Sequence, residues 1–278
     1  MLRRTVVAII LTVSTVLGGV LLADRPVPTE ARQSRFTLAF VETFDGPRLD
    51  RTVWATCYWW NRRGCTNGST GEEQWYTRGN VAVSDGKLVM TARRRSVAAS
   101  DGRRYPYTSG MVTTGKRRDT ARARPGFAFK YGRVSARLRV PAGQGLWSAM
   151  WLLPMTHRSR PEIDIFEVLG HQPDRVYFHT HYWKNGKRRD PGDVLVGIDT
   201  SEGWHRYDLV WRPRKLVWKV DGEVGWTLTK PAAIPHQPMY LLINLAVGGE
   251  WPGSPDASTP FPARLEVDWV RIRTRSRP

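Results

Sequence analysis

Three acids stand close together in Pro161-Glu162-Ile163-Asp164-Ile165-Phe166-Glu167-Val168. On a strand, residues two apart share a face, so Glu162 and Asp164 project together. Glu167 lies five positions from Glu162 and would face away in a regular strand. One extra residue near Ile165-Phe166, a β-bulge, returns it to the same side. The apolar residues then turn inward and the carboxylates line the other face. Crowded like charges raise at least one pKa, which suits a carboxyl pair divided between proton donor and nucleophile. With the bulge, Glu162 and Glu167 are about four strand steps apart, roughly 13 Å between backbones. Side chains leaning together approach the roughly 5–5.5 Å carboxyl separation at which a glycosidic bond is cleaved with retention. On that geometry Glu162 is the nucleophile, Glu167 the general acid/base and Asp164 their electrostatic partner. A polar strand face or an oxygen-ligand calcium site fits the same spacing.

Aromatic residues accumulate nearby. Sugars present flat C–H faces to rings, while polar neighbours bind the hydroxyls. Trp147 and Trp151 are expected on one strand face just before the acids. Trp59, Trp60, Trp75, Trp183 and Trp251 are candidates to extend a cleft. His181, shortly after the acids, is within reach of a substrate there; a lone histidine in a strand is otherwise a packing residue.

The elements that must position these groups are strands. Lys87 to Ala92 is short, apolar and entered by the turn pair Asp85-Gly86. Val134, Ala136, Leu138 and Val140 alternate with polar residues, and Leu216 to Val220 repeats the pattern. Leu241 to Val247 and Leu265 to Ile272 complete the clear candidates. No segment keeps a helical apolar stripe over three turns. Many short strands punctuated by Gly, Pro and Asp-Gly imply an all-β sandwich of two antiparallel sheets. No linker divides residues 36–275, so they form one domain, large enough for a sizeable core.

The chain has 278 residues and a formal charge of +18, with 43 Lys and Arg against 25 Asp and Glu. Lysine supplies only 8 of the cations, and the arginines fall in short groups scattered along the chain. No single helix carries a basic stripe, so nucleic acid is not the expected partner. An Arg-rich solvated surface accounts for the charge; the sharper reading is attraction to an anionic cell wall or acidic polysaccharide.

Arg3 and Arg4 precede an uncharged run from Thr5 to Ala23, the form of a secretory signal. Its 19 residues also approach the length of a membrane anchor. Residues 1–23 are therefore read as signal peptide or signal anchor and 24–35 as a tether. The rest is expected to be exported, secreted or held at the outer surface, with the membrane touched only through an uncleaved anchor. Outside the reducing cytosol, Cys57 and Cys65 are expected to form a disulfide across the loop between them.

Together these segments make the sequence similar to glycoside hydrolase family 16, in its laminarinase-like branch. The Glu-x-Asp-x-x-Glu signature stands at Glu162, Asp164 and Glu167. Gly71-Glu72-Glu73-Gln74-Trp75-Tyr76 with Asn80, Ser109-Gly110-Met111 and Tyr131-Gly132-Arg133 fit in order. Gly145 to Trp151, Asn244 to Gly249, Trp251-Pro252-Gly253 and Val267 to Arg271 complete the match. The resemblance implies a concanavalin-like β-jelly roll and retaining endo-hydrolysis of β-1,3-glucan, extending to mixed β-1,3/1,4 chains. Carried over by position, it gives the acids the same three roles and implies that Asn80, Trp147, Trp151 and His181 contact sugar; Trp251 joins them as an aromatic candidate. The reaction requires no cofactor. Relatives hold a structural calcium partly near the chain start and near Asp268; Thr43 stands where an acid is common, which removes a donor. A monomer acting on polysaccharide is expected. The alternatives are a hydrolase of an acidic or galactan-type polysaccharide and a glycan-binding protein without turnover.

Overall fold

The computed structural model describes residues 36–61, 64–118, 120, 122–156 and 160–275. The leader and tether expected over residues 1–35 lie outside them. The described chain is an all-β jelly-roll sandwich, as expected. One sheet runs, in spatial order, Glu223–Leu228, Lys215–Val220, His205–Arg212, Gly132–Arg139, Ala263–Arg275, Lys87–Ala92 and Val81–Ser84, with Phe36–Glu42 also paired to Ala263–Arg275. The other runs Lys187–Arg189, Arg175–Lys184, Glu162–Leu169, Leu146–Pro154, Met239–Val247 and Met111–Thr113, with Gly192–Val196 also on Arg175–Lys184. Spatial neighbours such as Gly132–Arg139 and Ala263–Arg275 are far apart in sequence, so chain-distant pairings hold the sandwich together.

Alternation places the core. Val134, Ala136 and Leu138 from the first sheet meet Met150, Leu152, Ile163 and Ile165 from the second, all essentially inaccessible. Burying each large aliphatic side chain favours folding by about 1.5–3 kcal/mol. The strands expected from the sequence are present, with Lys87–Ala92 at the expected bounds. A smaller apolar cluster sits on the other side of the second sheet, where Tyr58, Trp59 and Tyr76 pack against Ala149, Trp151 and Leu153. It fixes the segment around the Cys57–Cys65 disulfide to the sheet and raises one wall of a cleft.

Candidate active site

The acidic strand Glu162–Leu169 carries the expected bulge. Against Leu146–Pro154, Trp151 pairs with Asp164 and Met150 with Phe166, which leaves Ile165 as the extra residue. Ile165 and Phe166 therefore both enter the core, Phe166 stacking on Tyr207 at 4.1 Å. The shift brings Glu167 round to the side of Glu162 and Asp164. The main-chain carbonyl of Asp164, at the edge of the irregularity, accepts a hydrogen bond from Trp218 Nε1 (2.8 Å) of the opposite sheet. A buried indole thus braces the strand where its ladder is interrupted.

All three acids open into one cleft of about 1050 Å³ lying on the outer side of this sheet. The Asp164 carboxylate comes within 4.8 Å of carboxylate oxygens of both Glu162 and Glu167. Asp164 is thus the middle member of a continuous row. Burial, then the Asp164 charge, push Glu162 well above the usual carboxylate range and raise Glu167 as well.

The neighbouring strand Arg175–Lys184 supplies the opposing charge. Tyr177, His179 and His181, two apart, all face the cleft. His181 Nε2 lies 3.1 Å from Asp164 Oδ2 and 3.9 Å from Glu162 Oε1. Its Nδ1 stands 2.5 Å from Asp190, which Arg188 Nε grips at 2.7 and 2.6 Å. Burial works against the His181 cation, but the bond to and charge of Asp164, with Glu162 and Asp190, outweigh it and raise the ring to about 10. An imidazolium therefore balances the acids at neutral pH. His179 Nδ1 lies 2.6 Å from Glu167 Oε2; burial lowers its proton affinity, yet Glu167 leaves it raised overall.

Rings wall the cleft. Trp147, Ala149, Trp151 and Leu153 alternate along one strand face and line it. Trp151 Nε1 donates to Asn244 Oδ1 (2.7 Å), whose Nδ2 donates to the Tyr76 hydroxyl (3.0 Å). Trp251 packs edge-on against Trp147 at 5.5 Å and Tyr177 at 5.0 Å. It remains 39% exposed, so its surface is accessible within the cleft. Trp60 lines the far wall beside Tyr58.

Four sequence expectations change here. Asn80 does not reach the cleft. It is buried, its amide donating to Thr91 O at 2.5 Å and Thr108 Oγ1 at 3.2 Å, so it braces neighbouring loops and is not a sugar contact. Trp75 is buried against Gly64 and Tyr105; a Cβ on Gly64 would fall 1.6 Å from its ring. Trp59 packs on Tyr240 outside the cleft. Trp183 borders a separate hollow with Arg160 and His236.

Glu72, His179, Tyr177 and Asn244 line the cleft without having been marked as site residues. Asn244 and Glu72 lie within recognised segments, and the alternation from Tyr177 to His181 was the available signal for the other two. Glu72 is buried, accepting from Gln74 Nε2 (2.5 Å), Asn67 N (3.2 Å) and Thr70 Oγ1 (3.2 Å). Burial pushes its carboxyl up to about 7. An unfolded Glu releases its proton near about 4.3, so the folded chain holds one more proton between the two values. The stability this group contributes is full below the lower value and is lost as pH rises through the upper one. Glu72→Gln should therefore be stabilising above pH 7, by up to roughly 3 kcal/mol, and near neutral below pH 4. Thermal melts of both proteins across that range check this.

The acids near the calcium position that the resemblance implies have partners within the protein. Asp268 is paired with Arg137 at 2.6 Å. Glu42 accepts from Phe44 N at 3.0 Å and Trp54 Nε1 at 3.1 Å. Thr43 Oγ1 donates to Asp45 at 2.6 Å.

A two-sheet sandwich whose outer face holds a carboxylate row within an aromatic-walled cleft defines the class. The family model for glycosyl hydrolases family 16 matches residues 70–271, and the chain belongs to that family. It is 33% identical over 253 residues to endo-1,3-1,4-beta-glycanase EglC of Rhizobium meliloti (strain 1021), covering 86% of this chain and 52% of that one. It is 33% identical over 275 residues to glucan endo-1,3-beta-glucosidase A1 of Niallia circulans, covering 88% and 39%. The chain thus spans about half or less of these relatives' lengths. The catalytic domain of an endo-1,3-beta-glucanase (laminarinase) from Thermotoga petrophila RKU-1 superposes with a TM-score of 0.75 at 31% identity, covering 88% of this chain and all of that one.

Proposed function

We propose that this chain is a retaining endo-hydrolase of β-1,3-glucan that also accepts mixed β-1,3/1,4 chains. The observation that carries this is the row Glu162–Asp164–Glu167 on the floor of an aromatic-walled cleft. Glu162 attacks the anomeric carbon while Glu167 gives its proton to the departing glycosidic oxygen. The bond to the leaving sugar breaks as the bond to Glu162 forms. Glu167, now ionised, takes a proton from water, which displaces Glu162 and restores the anomeric configuration. Asp164 and His181 hold the charge on Glu162 within bounds as it changes. Trp147, Trp151, Trp60 and Trp251 supply stacking surface. The reaction needs no cofactor.

The glucan reading also rests on the names of the relatives. Export is part of it: the Cys57–Cys65 disulfide is consistent with an oxidising compartment. The protein acts as a secreted or surface-anchored monomer. The test is reducing-end release from laminarin, lichenan, agarose, a sulfated galactan and hyaluronan, by wild type and Glu162→Gln in parallel. Release from laminarin or lichenan that is lost in the variant is expected. Release confined to agarose or to an acidic chain would overturn the substrate while keeping the acids. Binding to every glucan with release from none would make the chain a glycan-binding protein.

A further inference from the structure

The outward side of the eight-stranded sheet, across the core from the cleft, concentrates charge in a way that folding alone does not reward. Strand register sets cations directly opposite one another: Arg133 against Arg273, Arg137 against Arg206, and Arg212 against Lys215. Like charges in such cross-strand positions are destabilising. Acids relieve part of it. Asp208, its side chain fully buried, takes Arg133 at 2.9 Å and Arg206 at 3.0 Å, and Asp268 takes Arg137 at 2.6 Å. Arg271 and Arg273 pair with no carboxylate among the described residues. Indoles lie under the guanidinium groups. Arg271 stands 4.3 Å from the Trp269 ring, and Arg137 and Arg139 stand 5.2 and 5.7 Å from Trp204. Asp268 and Glu266 also hold Arg137 and Arg139, whereas Arg271, placed over Trp269 and paired with no acid among the described residues, offers its N–H donors to a planar anion such as a carboxylate or sulfate.

We propose that this face binds an acidic polysaccharide, a chain bearing carboxylate or sulfate groups, at a site separate from the cleft. Adjacent strands lie about 4.8 Å apart, so their outward residues repeat at a spacing close to one hexose along a glycan. The face is built of sheet strands, with no helix among them to enter a duplex groove. Its tryptophans already carry guanidinium groups, which leaves little open ring for an unpaired base to stack on. The net charge of +18 adds long-range attraction. This binding stands whether or not the cleft is catalytic.

The test uses polygalacturonate as the polyanion, with affinity measured by calorimetry for wild type, Arg271→Ser/Arg273→Ser and Arg93→Ser/Arg95→Ser. The last pair removes the same charge from an exposed segment elsewhere. Wild type should bind, and raising salt from about 50 to about 200 mM should weaken binding on the order of tenfold or more. The Arg271/Arg273 variant should lose on the order of tenfold at low salt, with laminarin hydrolysis and melting temperature unchanged. The Arg93/Arg95 variant should bind like wild type. Equal loss in both variants would overturn the proposal in favour of diffuse net charge, and no loss in either would overturn it outright. Duplex DNA bound as tightly, with the same dependence on Arg271 and Arg273, would make the face a nucleic-acid surface instead.

Discussion

Glu162→Ala should lower turnover of laminarin on the order of 10⁴-fold or more, since it removes the only step that splits the displacement in two. The residue sits in the acid row with Asp164 beside it and His181 Nε2 at 3.9 Å. The loss alone would not separate a nucleophile from a general base. Azide does. Small enough to enter the space left by the carboxylate, it should restore part of the turnover and leave as a glycosyl azide of inverted, α configuration. A β product, or no rescue at any azide concentration, would assign Glu162 another role. Melting temperature should stay level or rise, because burial and the Asp164 charge already work against the Glu162 anion.

The carboxylate row was legible because the bulge leaves a trace in sequence. Ile165 and Phe166 are adjacent apolar residues in an alternating strand, and both turn into the core. Trp147 and Trp151 were legible for the same reason, a period of two on a long strand. Asn80 was misleading: its position in a recognised segment says nothing of the direction of its amide, which Thr91 and Thr108 capture from inside. Glu72 was hidden because nothing in Gly71-Glu72-Glu73-Gln74 says which of the two acids turns inward. Only the loop folded over the sheet, with Tyr58 and Tyr76 beneath it, makes Glu72 a buried acid. The basic face was hidden more deeply. Arg133 and Arg273 are remote in sequence and become neighbours only through the pairing of Gly132–Arg139 with Ala263–Arg275. Scattered arginines in the chain are therefore not scattered on the sheet.

Glu167→Ala should show the opposite dependence on the leaving group. Laminarin, whose departing sugar needs a proton, should be cleaved about 10²–10⁴-fold more slowly. An aryl β-glucoside chain with an acidic phenol needs no such help, so its first step should proceed nearly as in wild type. The second step then lacks its base, and the glycosyl-enzyme should accumulate as a burst of phenol and as added mass on the peptide holding Glu162. Azide should clear it with retention, giving the β product. Equal losses on both substrates would mean that Glu167 does not donate the proton. His179 refines the case. Its Nδ1 contact at 2.6 Å and its charge lower the proton affinity of Glu167 against the effects of burial and Asp164. Removing that charge with His179→Asn should raise the Glu167 pKa, so the acid stays protonated longer and the basic limb of kcat/KM against pH moves upward. A basic limb that stays in place, with only the plateau lowered, would confine His179 to holding the side chain in position.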